Sequence, residues 1–332
     1  QPALQIYYLD IDLNDENIVV RPYITDNPAT VKNLAERFGT YAAINGGFFG
    51  GSVSYSAVIY PENVKAQNIG SVTRNGKSYP VIRSLFSLSN DFEPGVDWIY
   101  HFSGGRNGIY SFNAPLDYDY NDSEPLSAPQ SSTGTQMTDL LIGIGGAPTL
   151  IKNGQKNVTY NEEIMWGSGV GLDNNDPRTA VGYTENNHII LITADGRQTA
   201  SEGVGLNELA DIMLDLGCVE AMNLDGGGST QMAVPGEFIN SPSENRAVPT
   251  ILAVTHRDSL FDSDTLIYDQ IIDTEADQCE LVGDWFPTAN AGYWGESASQ
   301  LSQIGSGQDV ARYNLEVDQK TTCKIYGWWV AA

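Results

Sequence analysis

An α+β fold is predicted for this chain: a twisted mixed β-sheet core with few helices, followed by a smaller all-β module. Three observations lead there. Short runs of alternating apolar and polar residues recur through most of the sequence, as strands require. Only two segments carry helical spacing. Past "RDSLFDSDTL" the texture changes, and aromatics alternate without any helix signal. The 332 residues suffice for one large domain or two ordinary ones. The division read from them is a first domain over 1–258 and an all-β accessory module over 264–332, joined by a short acidic linker at about 257 to 265.

"LQIYYLDIDLNDENIVVRPYI" alternates around an Asn-Asp turn and predicts a β-hairpin. "ATVKNLAERFG" has helical spacing at Val31, Leu34, Ala35 and Phe38, with Gly39 as its C-cap. A short strand then ends in "AINGGFFG". From Ser52 to about Gln136 short strands alternate with long polar connections, and "PLDYDYNDSEPLSAPQSSTGTQ" reads as an exposed loop. "LLIGIGGAPTLIKNG" is two apolar runs broken by glycines and a proline. "DPRTAVGYTENNHIILITADGR" predicts two strands joined by Glu185-Asn186-Asn187, ending in an Asp-Gly turn. "GVGLNELADIMLDLG" is the clearest helix, with Leu206, Leu209, Ala210 and Met213 on one stripe and Glu208, Asp211 and Asp215 on another. Gly217 ends it. The strand "CVEAMNLD" precedes three glycines, and "AVPTILAVTHR" closes the core.

Composition removes several function classes. Apolar residues make up 41% and six residues are Trp, which suits a packed core rather than a disordered chain. A formal charge of −25 excludes nucleic acid as a partner, because phosphate-backbone binding needs a basic face. An anionic ligand would need a local cluster of Arg and backbone N–H groups. No run of about 18 apolar residues exists, so no membrane span is expected. The chain opens at Gln1 without an initiator Met or a basic-then-apolar leader, which suits a processed secreted, periplasmic or cell-surface protein, or a trimmed chain. Cys218 reads as a small buried apolar residue. Cys279 and Cys323 share the C-terminal segment, and an oxidising compartment would let them pair. No spacing suggests a metal centre, and no cofactor is expected.

"GSVTRNGKS" has the look of a phosphate-binding P-loop, but Gly70 is one residue too far from Gly76-Lys77-Ser78, and no apolar strand feeds it. An Asn-Gly turn between two strands is the better reading. No G-x-S-x-G elbow exists, and His101, His188 and His256 stand in unrelated settings, so a serine triad has no support. The stretch "AMNLDGGGSTQM" is different. Asn223 and Asp225, two apart on a strand, share one face. Gly226, Gly227 and Gly228 then offer successive N–H groups as an anion nest, with Ser229 and Thr230 adding hydroxyls. A tight Asp-Gly turn with spare glycines is the plain alternative. "AINGGFFG" sets Asn45 before Gly46 and Gly47 at another strand end. "NNDPRTAVG" places Arg178 at a strand entry, where a guanidinium grips oxyanions bidentately. "ITADGRQ" offers Asp195 and Arg197. Several strand ends with Gly turns and paired acid or Arg side chains are how such scaffolds build sites.

Taken in order, "AINGGFF", "GGAPTLIKNG", "DPRTAVGYT", "LITADGR", "GLNELADIMLDLGCVEAMNLDGGGST" and "NRAVPTILAV" resemble the phosphodiester glycosidase family over about residues 5 to 256. The resemblance implies cleavage of the glycosidic bond of a sugar-1-phosphodiester, freeing a sugar and a phosphomonoester. It also implies a phosphorylated glycan or similar sugar-1-phosphodiester as partner. The segment "VGDWFPTANAGYWG" to "CKIYGWWV" resembles, at shorter length, β-sandwich modules of secreted bacterial polysaccharide-active enzymes; the resemblance implies a sandwich-like module, incomplete at this length, and a polysaccharide partner.

A phosphate oxygen already leaves well, so a strong general acid is less necessary than in ordinary glycoside hydrolysis. The site needs charge neutralisation and one carboxylate to stabilise an oxocarbenium-like centre or activate water. Asp225 and Asp195 are the candidates for the carboxylate. Asn45, Gly46, Gly47, Arg178, Arg197, Asn223, Gly226 to Ser229, Thr230 and Arg246 are the candidates for substrate binding. Glu208 is a third acid, better read as part of a solvated face. Two rivals remain: a phosphodiesterase breaking the P–O bond, and a glycan-binding protein using Trp166 and the C-terminal Trp residues as stacking platforms.

Overall fold

The architecture is that of a computed structural model, in which residues 3–261, 279–282, 285–288, 299–302 and 310–313 are described. Two compact units arise, Gln1–Asp264 and Thr265–Ala332. The described strands of the second unit are Cys279–Val282 paired with Val310–Tyr313 and Trp285–Thr288 paired with Ser299–Ser302. Cys323 lies outside the described residues, so the expected pairing with Cys279 does too.

The first unit bears out the α+β expectation, with the strands grouped into three main antiparallel sheets of six, seven and five strands. The six-stranded sheet runs Ile6–Asp12, His188–Ala194, Arg178–Thr184, Cys218–Asn223, Thr149–Lys152 and Gln155–Lys156. Its strands are apolar on both faces. Ala180, Ile190, Ile192 and Ala221 turn to one side, where α2 (Leu206–Asp215) lays down Leu206, Leu209, Ala210 and Met213. Val181, Ile189, Leu191 and Met222 turn to the other side and meet Phe86, Ile142 and Ile144 of the seven-stranded sheet and Ile44 and Leu252 of the five-stranded sheet. Alternate residues therefore serve two cores, the behaviour of a strand buried on both faces. The helix α1 (Val31–Arg37) covers the five-stranded sheet with Val31, Leu34 and Ala35, and Gly39 takes a left-handed conformation at its end.

The rejected P-loop is a hairpin: Ser71–Arg74 pairs with Lys77–Pro80, and Asn75 and Gly76 both have positive φ. The strands around Glu185-Asn186-Asn187 also pair as expected. The N-terminal hairpin does not form. Ile6–Asp12 pairs with His188–Ala194, whereas Ile18–Ala29 pairs with Val248–His256 in another sheet. The turn itself is real, since the Asp12 carboxylate accepts hydrogen bonds from the Asn14 backbone and side chain. An Asx turn reverses the chain but does not decide which edge each strand joins.

Candidate active site

Strand ends from the different sheets converge around the glycine tripeptide. Cys218–Asn223 ends the six-stranded sheet's inner strand, and Leu224 N–H then donates to Thr179 O at 2.8 Å. Asp225 follows, with its N–H donating to Gly46 O at 3.2 Å. Beneath it Asn45, fully buried, donates to Asp225 O at 2.7 Å and accepts from Thr179 Oγ1 at 2.8 Å. Asn45 thus ties the carbonyl of the acid to the strand at Thr179 and to Gln231 N, and does not reach the cleft.

The glycines make one turn of 3₁₀ helix, Gly227–Ser229. Their N–H groups are largely spent inside the protein. Gly226 N donates to Asp225 Oδ1 at 3.0 Å, Gly227 N to Pro177 O at 2.8 Å, and Ser229 N to Gly226 O at 3.1 Å. The open nest expected from the sequence is therefore mostly closed. Space is what demands the glycines. Gly227 has φ +60°, a Cβ on Gly226 would lie 2.8 Å from Pro177 O, and one on Gly228 would lie 2.4 Å from the Glu244 carboxyl carbon. Gly46 and Gly47 answer the same need, since a Cβ there would meet Thr250 Oγ1 or Gly145 O at 2.3 Å.

The turn opens onto a cleft of about 410 Å³. Asp225, Gly226, Gly227, Gly228, Arg178, Arg197 and Arg246 line it, all expected from the sequence. Arg83, Asp176, Asn68, Met165 and the aromatics Phe48, Phe49 and Tyr55 also line it, and none of these was foreseen. Asn223, Ser229, Thr230 and Asp195 are not on its surface. The strand has ended at Asn223, so the two-residue alternation fails; the Asn223 amide donates to Ala147 O and Leu224 O instead. Glu208 is exposed on α2, away from the cleft. Trp166 is 2% exposed, with the Arg74 guanidinium 4.0 Å above its ring, so it offers no face to a sugar.

Electrostatics separates the two aspartates. Burial pushes the Asp225 carboxyl up to about 6, against the opposing pull of the Ser229 hydroxyl, the Gly226 N–H and the Arg246 charge. Asp195 is also raised by burial, but both its oxygens are engaged: Oδ1 accepts from Asn240 Nδ2 at 2.7 Å and Oδ2 from Ser241 N at 3.0 Å. Asn240 Oδ1 in turn accepts from Met232 N, so Asp195 fixes the chain that leaves the glycine turn. Arg178 donates to the carbonyls of Val204, Gly171 and Asn174. Arg197 pairs with Asp176 at 2.9 Å and Arg246 with Glu244 at 2.9 Å. Among the described residues no three His, Cys, Asp or Glu side chains are grouped to hold a metal ion.

The chain is similar to several known proteins. The Bacillus subtilis "SPbeta prophage-derived uncharacterized protein YomE" is 39% identical over 89 residues, 26% of this chain and 14% of its own length. Human "N-acetylglucosamine-1-phosphodiester alpha-N-acetylglucosaminidase" is 40% identical over 68 residues, 20% of this chain and 13% of its own length. The chain thus aligns with a small part of each relative. A solved structure of a hypothetical protein from Synechocystis shares the fold at TM-score 0.51 and 19% identity, covering 76% of this chain and 59% of that one. The profile named Phosphodiester glycosidase matches residues 38–255. That span exceeds half the sequence and holds every wall of the cleft; the chain belongs to the phosphodiester glycosidase family.

Proposed function

We propose that the chain hydrolyses the glycosidic bond of a sugar-1-phosphodiester, releasing the sugar and a phosphomonoester. One observation carries this reading: a chain of net charge −25 gathers four arginines and one carboxylate of raised pKa on a single cleft. Such a concentration against the overall charge points to an anionic ligand beside a working acid. Family membership supports glycosidase-type hydrolytic activity in general, and the human relative's name specifies a sugar-1-phosphodiester.

The chemistry follows from the residues. As the bond between the anomeric carbon and the phosphate oxygen breaks, its electron pair leaves with the phosphate. The arginines neutralise that charge. A water oxygen bonds to the anomeric carbon, and Asp225, ionised near neutral pH, takes the water proton or faces the positive centre. Asp195 acts as a positioning residue through Asn240 and Ser241. Asp225 is held from below by the clamp at Asn45, so the carboxylate keeps its place while substrate exchanges.

Hydrolysis of a sugar-1-phosphodiester in oxygen-18 water tests the reading. Label in the sugar supports it, and label in the phosphate would mean P–O cleavage. Binding without turnover would leave a glycan-binding protein. We further propose that Thr265–Ala332 is an all-β accessory module that engages polysaccharide, and that the protein is secreted, periplasmic or cell-surface. Among the described residues no helix is long and apolar enough to cross a membrane.

A further inference from the structure

One cleft guanidinium is buried without an anion. Arg83 opens the strand Arg83–Ser89 of the seven-stranded sheet and is 6% exposed. Its Nη1 donates to the Met165 thioether at 2.7 Å and its Nη2 to Ile164 O at 3.4 Å. Its Nε is buried with no hydrogen-bond partner. A thioether is a weak acceptor and 3.4 Å is a long contact, so most of the five donors of the guanidinium are poorly served. No carboxylate lies within ion-pair distance of Arg83 among the described residues. Burial lowers its pKa to about 10, with Glu163 opposing the fall and Arg74 adding to it.

The other cleft arginines differ. Arg178 is occupied by three carbonyls, and Arg197 and Arg246 are each paired with a carboxylate and substantially exposed. A buried cation left this short of acceptors is costly unless a ligand supplies them. A phosphate presents several oxygens that match the planar fork.

We infer that Arg83 is the residue that receives the anionic oxygens of the substrate's phosphate, and that the more exposed arginines set the approach to it. The identity of the anion rests on the sugar-1-phosphodiester reading. The buried charge does not.

The test compares thermal unfolding of the full chain, wild type and Arg83→Met, with and without inorganic phosphate, alongside hydrolysis of a sugar-1-phosphodiester. Methionine removes the unpaired charge and fits a pocket that already holds Met165, so without anion the variant Tm should equal or exceed that of wild type. Phosphate should raise the wild-type Tm by mass action. In the variant the phosphate concentration giving the same rise should increase about tenfold or more, and KM for the phosphodiester should rise with it. An unchanged phosphate response in the variant overturns the inference, as does a wild type that phosphate does not stabilise. Should Arg83→Met not fold, Arg83→Lys keeps the charge without the fork; a weakened phosphate response then supports the assignment and an unchanged one overturns it. If wild type responds to phosphate, Arg83→Met does not, and neither turns over a phosphodiester, the anion site stands and the hydrolase reading falls.

Discussion

Asp225 gives two measurable effects of opposite sign. If Asp225 is the working carboxylate proposed above, Asp225→Asn should lower kcat by about a thousandfold, the scale of losing a key electrostatic group. Its raised pKa acts the other way on stability. The folded state holds the proton up to about pH 6, whereas an unfolded aspartate releases it near 3.8. Between those values the folded form binds more protons, so the Asp225 contribution is most favourable below about 3.8 and is lost as pH rises through about 6. Asp225→Asn should therefore melt at or above the wild-type temperature at pH 8, with the advantage shrinking towards pH 4, as thermal unfolding across pH will reveal. The wild-type rate should rise along a limb centred near pH 6 if the ionised form works. A folded Asp225→Asn protein with near-normal turnover would reduce the tripeptide to a turn.

At the scale of elements, two devices hold the site, and only one was legible in the sequence. The glycine turn was visible because its residues are contiguous and its composition has few other uses. Gly228→Ala should push the Glu244 carboxylate aside and so release its partner Arg246, raising KM more than it lowers kcat in steady-state assays. Gly227→Ala adds strain at positive φ and should cost about 1 kcal/mol in urea unfolding. The second device is Glu163, fully buried, which accepts from Ser84 N and Oγ, Thr149 N and Thr159 Oγ1. It ties the strand Arg83–Ser89 of the seven-stranded sheet to Thr149–Lys152 of the six-stranded sheet. Glu163→Gln turns one acceptor into a donor facing donors and should cost about 2 kcal/mol by the same measurement. Nothing in "NEEIMWG" announces this, because the donors come from segments far away in the chain. Arg83 was missed for the same reason, since the residues it touches, Ile164 and Met165, lie about eighty positions further along the chain. Asn223 was misread because period-two alternation holds only while the strand lasts, and it ends at that residue.

The whole first unit closes late in its own sequence. Val248–His256 pairs with both Ile18–Ala29 and Ala42–Asn45, and Arg21 reaches Ser259 O and Leu260 O just beyond it. The unit Gln1–Asp264 carries its own cores. A chain ending after Asp264 is therefore expected to unfold in one cooperative step and retain the turnover of the full chain, whereas one ending before Leu260 should lose stability; urea titration followed by tryptophan fluorescence checks both. The parting of the first two strands into different sheets has a temporal side. Ile6 faces Ala194 and Ile18 faces His256, so neither strand has a neighbour to fold onto when it leaves the ribosome. Non-local pairing of this kind is slow. The first edge stays open until the chain has reached Ala194 and the second until it has reached His256, so a nascent chain carries unpaired strand edges, the kind of surface that sticks to its copies, through most of its synthesis.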